Sequence, residues 1–513
     1  MLKTKRLLPI LLSALVAVFV FARCGVATLR SISSSSAVGD SVAARQLVAV
    51  VAVCRHGARS PIDFFANDEN TAATWPMGRG FLTPLGVRQM FLLGAALRHR
   101  YVDKHQLLSP SYTRQEVFVR STAKLRTVQS ASALMMGMFP APQRVWQLNE
   151  DQASSHAALP PMLVGEERYD GPFDVSSVLD HLGDSALPFM QTAVPVLSLG
   201  LSSDHLLLGF EPNTCPPLSK VMDELLNDEE AKAANAKWLQ EINEAHTRFD
   251  TRPDAFGLGA LGDTLACEKA DGRQLPVSED SALYRAAIEA KDFGISHLNG
   301  HPTIAQIGAT PFYSVLVDIL SSKAQTGKMK ISDAASPFLG TPELHEDTRF
   351  VLLSAHDSTI SNLLGFIGLN DGKQPPFASL LAFELWREPS GEFTVSVLYN
   401  AAEKPVPGCS SDPCSLEAFQ RIVDDKKVPG GYLPYCGKET SSAASGDAGR
   451  GIQAAPARRL GQPEETDDME SGDAHDELLQ LHDGRRGRVA GMRSLEPWQD
   501  LAAEEGSPEM AGI

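Results

Sequence analysis

Residues 47–61 read LVAVVAVCRHGARSP, and this stretch decides the fold. Its first eight residues are apolar and predict a strand covered on both faces, as in a parallel sheet. The strand ends in His56 between two arginines, Arg55 and Arg59, and a glycine and a proline then break it. Arginine binds phosphate oxygens bidentately, which lysine does less well. The stretch therefore predicts a phosphate site in which His56 is placed to attack phosphorus.

Two further apolar stretches, 116–119 and 350–355, end in polar residues in the same way. The first stretch ends at Arg120, and the second ends at the pair His356-Asp357. Because ligands bind at the carboxyl ends of strands in open α/β sheets, we expect these side chains to lie near the first histidine. Helix N-termini at that edge also favour anions.

Helical patterns follow the three strands. Thr83-Pro84 predicts an N-cap with proline at the first helical position, and apolar residues recur at helical spacing after Arg120 and Asp357. This alternation predicts an α/β fold, with a mostly parallel, doubly wound sheet flanked by helices. Between about residues 140 and 310 the pattern becomes helical and irregular, which predicts a helical cap subdomain inserted over the sheet.

The ends of the chain differ in composition from its centre. Residues 1–27 have a positive start, an apolar run and a small-x-small site, and they predict a signal peptide, with an uncleaved membrane anchor as the alternative. Residues 28–45 predict a flexible linker. We expect a single catalytic domain over 46–436. Residues 437–513, with few aromatic side chains and a net charge of about −8, predict a disordered acidic tail.

Charge and cysteine content exclude several classes of protein. A formal net charge of −17 over 513 residues argues against a general nucleic-acid or membrane-surface binder. The seven cysteines lack the paired spacing of a zinc site, so we expect no metal. Cys409 and Cys414 enclose a short Ser-Ser-Asp-Pro loop and are plausible disulfide partners. Together with the predicted leader, these cysteines favour a protein that is secreted or that lies in a secretory or endolysosomal compartment.

The residues at the strand ends divide into complementary roles. One histidine is the nucleophile, three arginines form a cationic cradle, and the second motif supplies a hydrogen-bond donor and an acid. These are His56 as nucleophile, Arg55, Arg59 and Arg120 as cradle, His356 as donor to a phosphoryl oxygen, and Asp357 as acid for the leaving oxygen. An acid close to the ester oxygen is needed for departure of a poor alkoxide.

The first motif, together with Ser354-Ala355-His356-Asp357, resembles the histidine acid phosphatases, the acid-phosphatase branch of the phosphoglycerate-mutase-like superfamily. The resemblance spans nearly all of residues 47–436. It implies a mechanism without metal or organic cofactor, in which His56 is phosphorylated, Arg55, Arg59, Arg120 and His356 bind phosphate, and Asp357 donates a proton.

The resemblance also implies two disulfides, Cys409–Cys414 and Cys215–Cys436. The sequence departs from other members of the family near Ser379-Leu380, where they carry a partner for the cysteine corresponding to Cys267. We therefore expect Cys267 to be free, like Cys54.

The expected function is hydrolysis of small-molecule or phosphoprotein phosphomonoesters at acidic pH. Adjacent arginines keep His56 neutral in acid, whereas Asp357 must be protonated to act. Two alternatives stay open, a phytase-like inositol-polyphosphate phosphatase and a catalytically silent secreted binding protein of the same fold. We expect no nucleic-acid partner, membrane attachment only through an uncleaved leader, and a homodimer as a candidate assembly.

Overall fold

A computed structural model describes most of the region expected to fold. The described residues are 44–144, 147–154, 159–160, 163, 175–340 and 344–437. The predicted signal peptide, nearly all of the linker and the tail beyond 437 lie outside them.

An eight-stranded sheet forms the centre of the domain. Its strands are β1 (Gln46–Arg55), β2 (Val117–Thr122), β3 (Leu197–Leu199), β4 (Phe350–Ala355), β5 (Leu380–Arg387), β6 (Phe393–Tyr399), β7 (Ala402–Lys404) and β8 (Cys414–Ser415). The order is β3-β2-β4-β1-β5-β6-β7, with β8 paired to β6. Pairing is parallel from β3 to β1 and antiparallel from β1 onward. The predicted α/β class is confirmed, and the part of the sheet from β3 to β1 is parallel.

The described helices include those that cover both faces of this sheet and those of the cap. They are α1 (Pro84–Arg98), α2 (Leu125–Met138), α3 (Glu150–Ser154), α4 (Val175–Leu182), α5 (His205–Leu208), α6 (Pro217–Leu225), α7 (Glu229–Lys237), α8 (Leu239–Phe249), α9 (Ala255–Ala270), α10 (Ala282–Leu298), α11 (Pro302–Thr326), α12 (Ser336–Leu339), α13 (Asp357–Ile367), α14 (Leu416–Lys426) and α15 (Tyr432–Tyr435). Among the described helices, α11 alone is long and apolar enough to cross a membrane, but 78% of its apolar window is buried inside the protein. It is the core helix on one face of the sheet.

Strand β1 shows why an uninterrupted apolar run is needed at the centre. Successive side chains of a strand point to opposite faces. Val51 and Val53 belong to the core that includes Phe312 of α11. Val50 and Ala52 belong to the opposite core, with residues of α1 and α2. Both faces of β1 are therefore covered, and its polar residues come only where the strand reaches the edge of the sheet.

The cap contains a core of its own. Helices α8, α9 and α10 pack around a set of buried residues that includes Trp238, Ile242, Phe249, Leu258 and Leu261. The expected limits of about 140–310 need correction, because β3 within that range pairs with β2 in the sheet. Helix α11 also begins inside the range, and its apolar face packs on the sheet rather than in the cap.

Both expected disulfides are present in the structure. Cys215 is bonded to Cys436, and Cys409 is bonded to Cys414. Cys54 and Cys267 are free and buried. Burial raises the pKa of each of these two thiols to about 12, so both stay protonated and unreactive.

The loop after β1 lies unusually close to the start of α1. A Cβ atom on Gly57 would be 2.3 Å from the carbonyl oxygen of Gly86, and one on Gly86 would be 2.1 Å from that of Ala58. The backbone N–H of Thr83, the N-cap of α1, donates to the carbonyl of Ala58 at 2.9 Å. Helix α1 therefore holds the loop that carries Arg59, and glycine is required at both contact positions.

We predict that Gly86→Ala lowers the free energy of unfolding by about 1–3 kcal/mol, because the added methyl group overlaps backbone atoms. Gly294→Ala is the matched control, since its Cβ would meet only Phe256, at 3.7 Å. In helix α10 that change should be neutral or stabilising by less than about 1 kcal/mol. Urea unfolding of both variants measures the difference, and equal stabilities would contradict the close contact.

Candidate active site

His56 lies directly after β1 and is almost completely buried. Its Nδ1 is 2.8 Å from the carbonyl oxygen of Gly57, which can only accept a hydrogen bond. Nδ1 therefore carries the proton in the neutral ring, and Nε2 keeps its lone pair. Burial holds the pKa of His56 well below its ordinary value, and the charges of Arg126 and Arg55 lower it further. The buried imidazole therefore favours its neutral form, in which the Nε2 lone pair is available for attack.

The second motif lies beside the first, as expected. Strands β1 and β4 are parallel neighbours, and Arg55 pairs in register with Ala355. His356 is the N-cap residue of α13, and Asp357 is the first residue of that helix. The ring centroids of His56 and His356 are 5.8 Å apart in a T-shaped arrangement. The two motifs therefore form one site.

A pair of threonines orients His356. The Nε2 atom of His356 is 3.0 Å from the hydroxyl oxygen of Thr122, at the end of β2. That hydroxyl is 2.8 Å from the hydroxyl of Thr127 in α2. The second histidine is thus fixed by the strand and the helix that flank it.

Arg55 holds Asp357. Its Nη2 is 2.8 Å from Oδ2 of Asp357, and its Nη1 donates to the carbonyl of Pro375 at 2.5 Å. The guanidinium also lies 4.2 Å from the ring centroid of Phe377, and Gln374 Nε2 donates to the same carboxylate oxygen at 2.6 Å. Burial by itself would raise the pKa of Asp357, but Arg55 and the neighbouring cations hold it well below its ordinary value.

Arg59 is held from the cap. Its Nη2 donates to Oδ2 of Asp263 at 2.8 Å, and its Nη1 lies 3.3 Å from Sγ of Cys267. Both partners belong to α9. A cap helix therefore positions one of the two arginines of the first motif.

A cavity of about 630 Å³ opens in front of these residues. Its polar end is lined by His56, Arg59, Arg126, His356 and Asp357. Two cations and two imidazoles beside one carboxylate form a site suited to a phosphate group. Arg55 lies behind this wall, on Asp357, and its predicted contact with phosphate stays a prediction.

The prediction that Arg120 belongs to the cradle is corrected by the structure. Strand β2 does not end at Arg120 but continues to Thr122. The side chain of Arg120 lies on the same face of the strand as that of Phe118, which is buried in the core. Its guanidinium donates to the buried carboxylate of Asp204 and to the carbonyls of Phe338 and Leu339. Arg120 therefore pairs with a buried acid and is not among the residues lining the cavity.

Arg126 takes the place expected for Arg120 and was not predicted. It lies in the first turn of α2, next to the threonine that supports His356, and it lines the cavity. The sequence signal was its position at the start of the helix after β2, where anions bind. Asp263 and Gln374 were missed as well, because no local pattern connects them to the motifs they support.

No group of three or more histidine, cysteine or acidic side chains placed to hold a metal ion occurs within the part of the chain that the structure describes. The cations of the cavity are arginine and lysine side chains. The site's described residues thus provide anion ligands, a nucleophile and a carboxyl group, which together suit phosphoryl transfer.

A comparison with protein families matches residues 46–256 and 283–400 to the histidine phosphatase superfamily (branch 2). The chain belongs to this family. It is 31% identical over 424 residues to testicular acid phosphatase of Mus musculus, covering 76% of this chain and 82% of the relative. It is 29% identical over 393 residues to lysosomal acid phosphatase of Rattus norvegicus, covering 75% and 78%.

The fold is also similar to that of solved structures. The apo form of Hafnia alvei phytase superposes with a TM-score of 0.54 at 17% identity, over 77% of this chain and 98% of that one. At this identity the likeness concerns the fold alone.

Glu268, near the end of α9, is buried and lies beside a second acid, Asp68. Asn70 and Arg273 are the other neighbouring polar groups. Burial first, and then the neighbouring Asp68, raise the pKa of Glu268 to about 8. The pair therefore keeps a proton in the folded protein at pH values where the unfolded chain has lost it.

We predict that Arg126→Ala weakens the binding of inorganic phosphate about 10- to 100-fold, because one charge-assisted contact is lost. Arg120→Ala should leave the dissociation constant nearly unchanged and should instead lower stability by about 3 kcal/mol, since Asp204 loses its buried partner. Calorimetric titration and urea unfolding of both variants separate the roles. A larger loss of phosphate affinity for Arg120→Ala would restore the original assignment.

We predict that the Asp68–Glu268 pair makes the protein more stable in acid. The folded-state pKa of Glu268 is raised, so this stabilisation is complete below about pH 4.5 and is lost as the pH rises towards 8. Glu268→Gln, which mimics the protonated acid, should reduce the fall in melting temperature between pH 5 and pH 8. The exposed Glu417→Gln serves as control and should keep the wild-type pH dependence.

Proposed function

We propose that the protein hydrolyses phosphate monoesters at acidic pH through a phosphohistidine formed on His56. The observation that carries this proposal is the neutral, buried imidazole, whose Nδ1 proton is held by Gly57 and whose ring lines a cavity with Arg59 and Arg126. The acid phosphatases among the relatives support the same activity.

In the first step, Nε2 of His56 attacks phosphorus and the ester P–O bond breaks. Arg55, Arg59 and Arg126 neutralise the phosphoryl oxygens, and His356 donates a hydrogen bond to one of them. Asp357 gives its proton to the departing alcohol oxygen. In the second step, water attacks the phosphohistidine, Asp357 takes the proton of the water, and inorganic phosphate leaves with His56 regenerated.

The proton on Asp357 needs a source, because Arg55 keeps this carboxyl ionised in the free protein. A phosphate monoester loses its second proton near pH 6, so in acid it binds with that proton still present. The bound phosphate also offsets the charge of the arginines and raises the affinity of Asp357 for a proton. The acid preference thus follows from the substrate's ionisation as much as from that of Asp357.

The alternatives are less favoured. A phytase-like activity has support from the fold of the phytase neighbours alone, at 17% identity. A catalytically silent binding protein would not require an intact pair such as His56 and Asp357. We therefore retain phosphate monoesters, of small molecules or phosphoproteins, as the substrate class.

The same relationships support a location for the protein. The lysosomal relatives and the predicted leader support a secretory or endolysosomal route. A homodimer, and membrane attachment through an uncleaved leader, stay predictions.

We predict that His56→Ala abolishes release of phosphate from p-nitrophenyl phosphate, with a loss of at least about 10³-fold, because no covalent intermediate forms. The wild-type protein, quenched during turnover with ³²P-labelled substrate, should carry acid-labile phosphate, and the variant should carry none. Activity of the wild type should decline above about pH 6. Retained activity in His56→Ala, or an optimum above neutral pH, would overturn the proposal.

A further inference from the structure

Beyond the phosphate-facing residues, the larger part of the cavity wall is apolar. The apolar side chains come from separate elements, namely the loop after β1, the residues around α5 and α6, and the cap helices α9 and α10. They include Ile62, Leu208, Met222, Leu226, Phe256 and Ile295. Most are branched or unbranched aliphatic groups, and Ile62, Leu208, Met222 and Ile295 expose only a small part of their surface.

The remaining charges of the wall are balanced. Three are cationic and three are acidic, and they are Lys124, Arg252, Lys291, Asp63, Glu211 and Asp263. Arg252 lies 2.6 Å from a carboxylate oxygen of Asp254, and Lys291 lies 3.0 Å from one of Asp292. A substrate with several further phosphates would need an excess of cations here, and this wall does not supply one.

We propose that the alcohol of the preferred substrate is apolar and that a single alkyl chain occupies this part of the cavity during turnover. This inference rests on the proposed phosphatase activity. A phosphate monoester of a small polar alcohol would leave in water the apolar surface that the wall still exposes to the cavity, whereas an alkyl chain removes that surface and its own from water. A cavity of about 630 Å³ has room for such a chain beside the phosphate.

Position 294 in α10 gives a way to fill the cavity without touching the phosphate site. Gly294 lines the cavity, and a Cβ atom there would meet only Phe256, at an ordinary contact distance of 3.7 Å. A leucine at this position would extend into the space assigned to the chain. Ala282, the exposed first residue of the same helix, offers a matched control, because it is not among the residues lining the cavity.

The first experiment measures phosphate release at pH 5 from n-alkyl phosphates of two to eight carbons, at concentrations where they are monomeric. We expect kcat/KM to rise about two- to fourfold for each added methylene, and octyl phosphate to be a better substrate than glycerol phosphate or inositol hexakisphosphate. A flat response to chain length, or faster turnover of inositol hexakisphosphate, would overturn the inference while leaving the phosphatase proposal intact. Absence of turnover with every ester, p-nitrophenyl phosphate included, would overturn the phosphatase proposal itself.

The second experiment repeats the series with Gly294→Leu and Ala282→Leu. We expect Gly294→Leu to lower kcat/KM for octyl phosphate at least tenfold and to change the value for ethyl phosphate less than twofold. Ala282→Leu should behave as the wild type with both esters. An equal effect of Gly294→Leu on both chain lengths would contradict occupation of the cavity by the chain, and the chain-length series of the wild type tests the inference even if this variant fails to fold.

Discussion

The ion pair between Arg55 and Asp357 joins two motifs that lie far apart in the sequence. Because β1 and β4 are parallel neighbours in register, both side chains emerge at the same edge of the sheet. Arg55 is almost entirely removed from water, whereas Asp357 keeps 14% of its side chain exposed at the cavity. The pair is costly to bury and has further contacts with Pro375 and Gln374. The rest of the site is arranged around this pair.

The arginines of the site concentrate positive charge, and carboxylates compensate it. Asp357 faces Arg55, and Asp263 faces Arg59. A bound phosphate would compete with these carboxylates for the same guanidinium groups. Under the proposed mechanism, this exchange would lower the positive charge around Asp357 at the stage when its proton is needed, and it would couple substrate binding to proton donation. His56 takes no part in this exchange, since burial is the main reason that it stays neutral.

The sheet and most of the site could be predicted from local sequence, and the failures have a physical reason. The apolar run of β1 and the histidine between arginines that follows it are adjacent in the sequence. The strand and its phosphate-binding residues can therefore be predicted from this one stretch. Arg120 and Arg126 are separated by less than two helical turns, and only the true end of β2 decides which of them faces the cavity. Burial of Arg120 depends on Asp204, which no local pattern connects to it.

The residues that the cap contributes to the site could not be predicted from the sequence, for the same reason. Helix α9 contains residues that support Arg59, namely Asp263 and Cys267, and also Phe256 of the apolar wall and Glu268 of the acid pair. Each of these contacts depends on which residues of α9 face the loop after β1 and which face the cavity, and the helical pattern alone does not predict this. In this chain Cys267 lies against Arg59 as a free thiol rather than in a disulfide. Helix α9 therefore contacts Arg59 and also lines the apolar wall, in addition to packing in the cap core. A displacement of this helix would change the position of Arg59 and the shape of the apolar wall together.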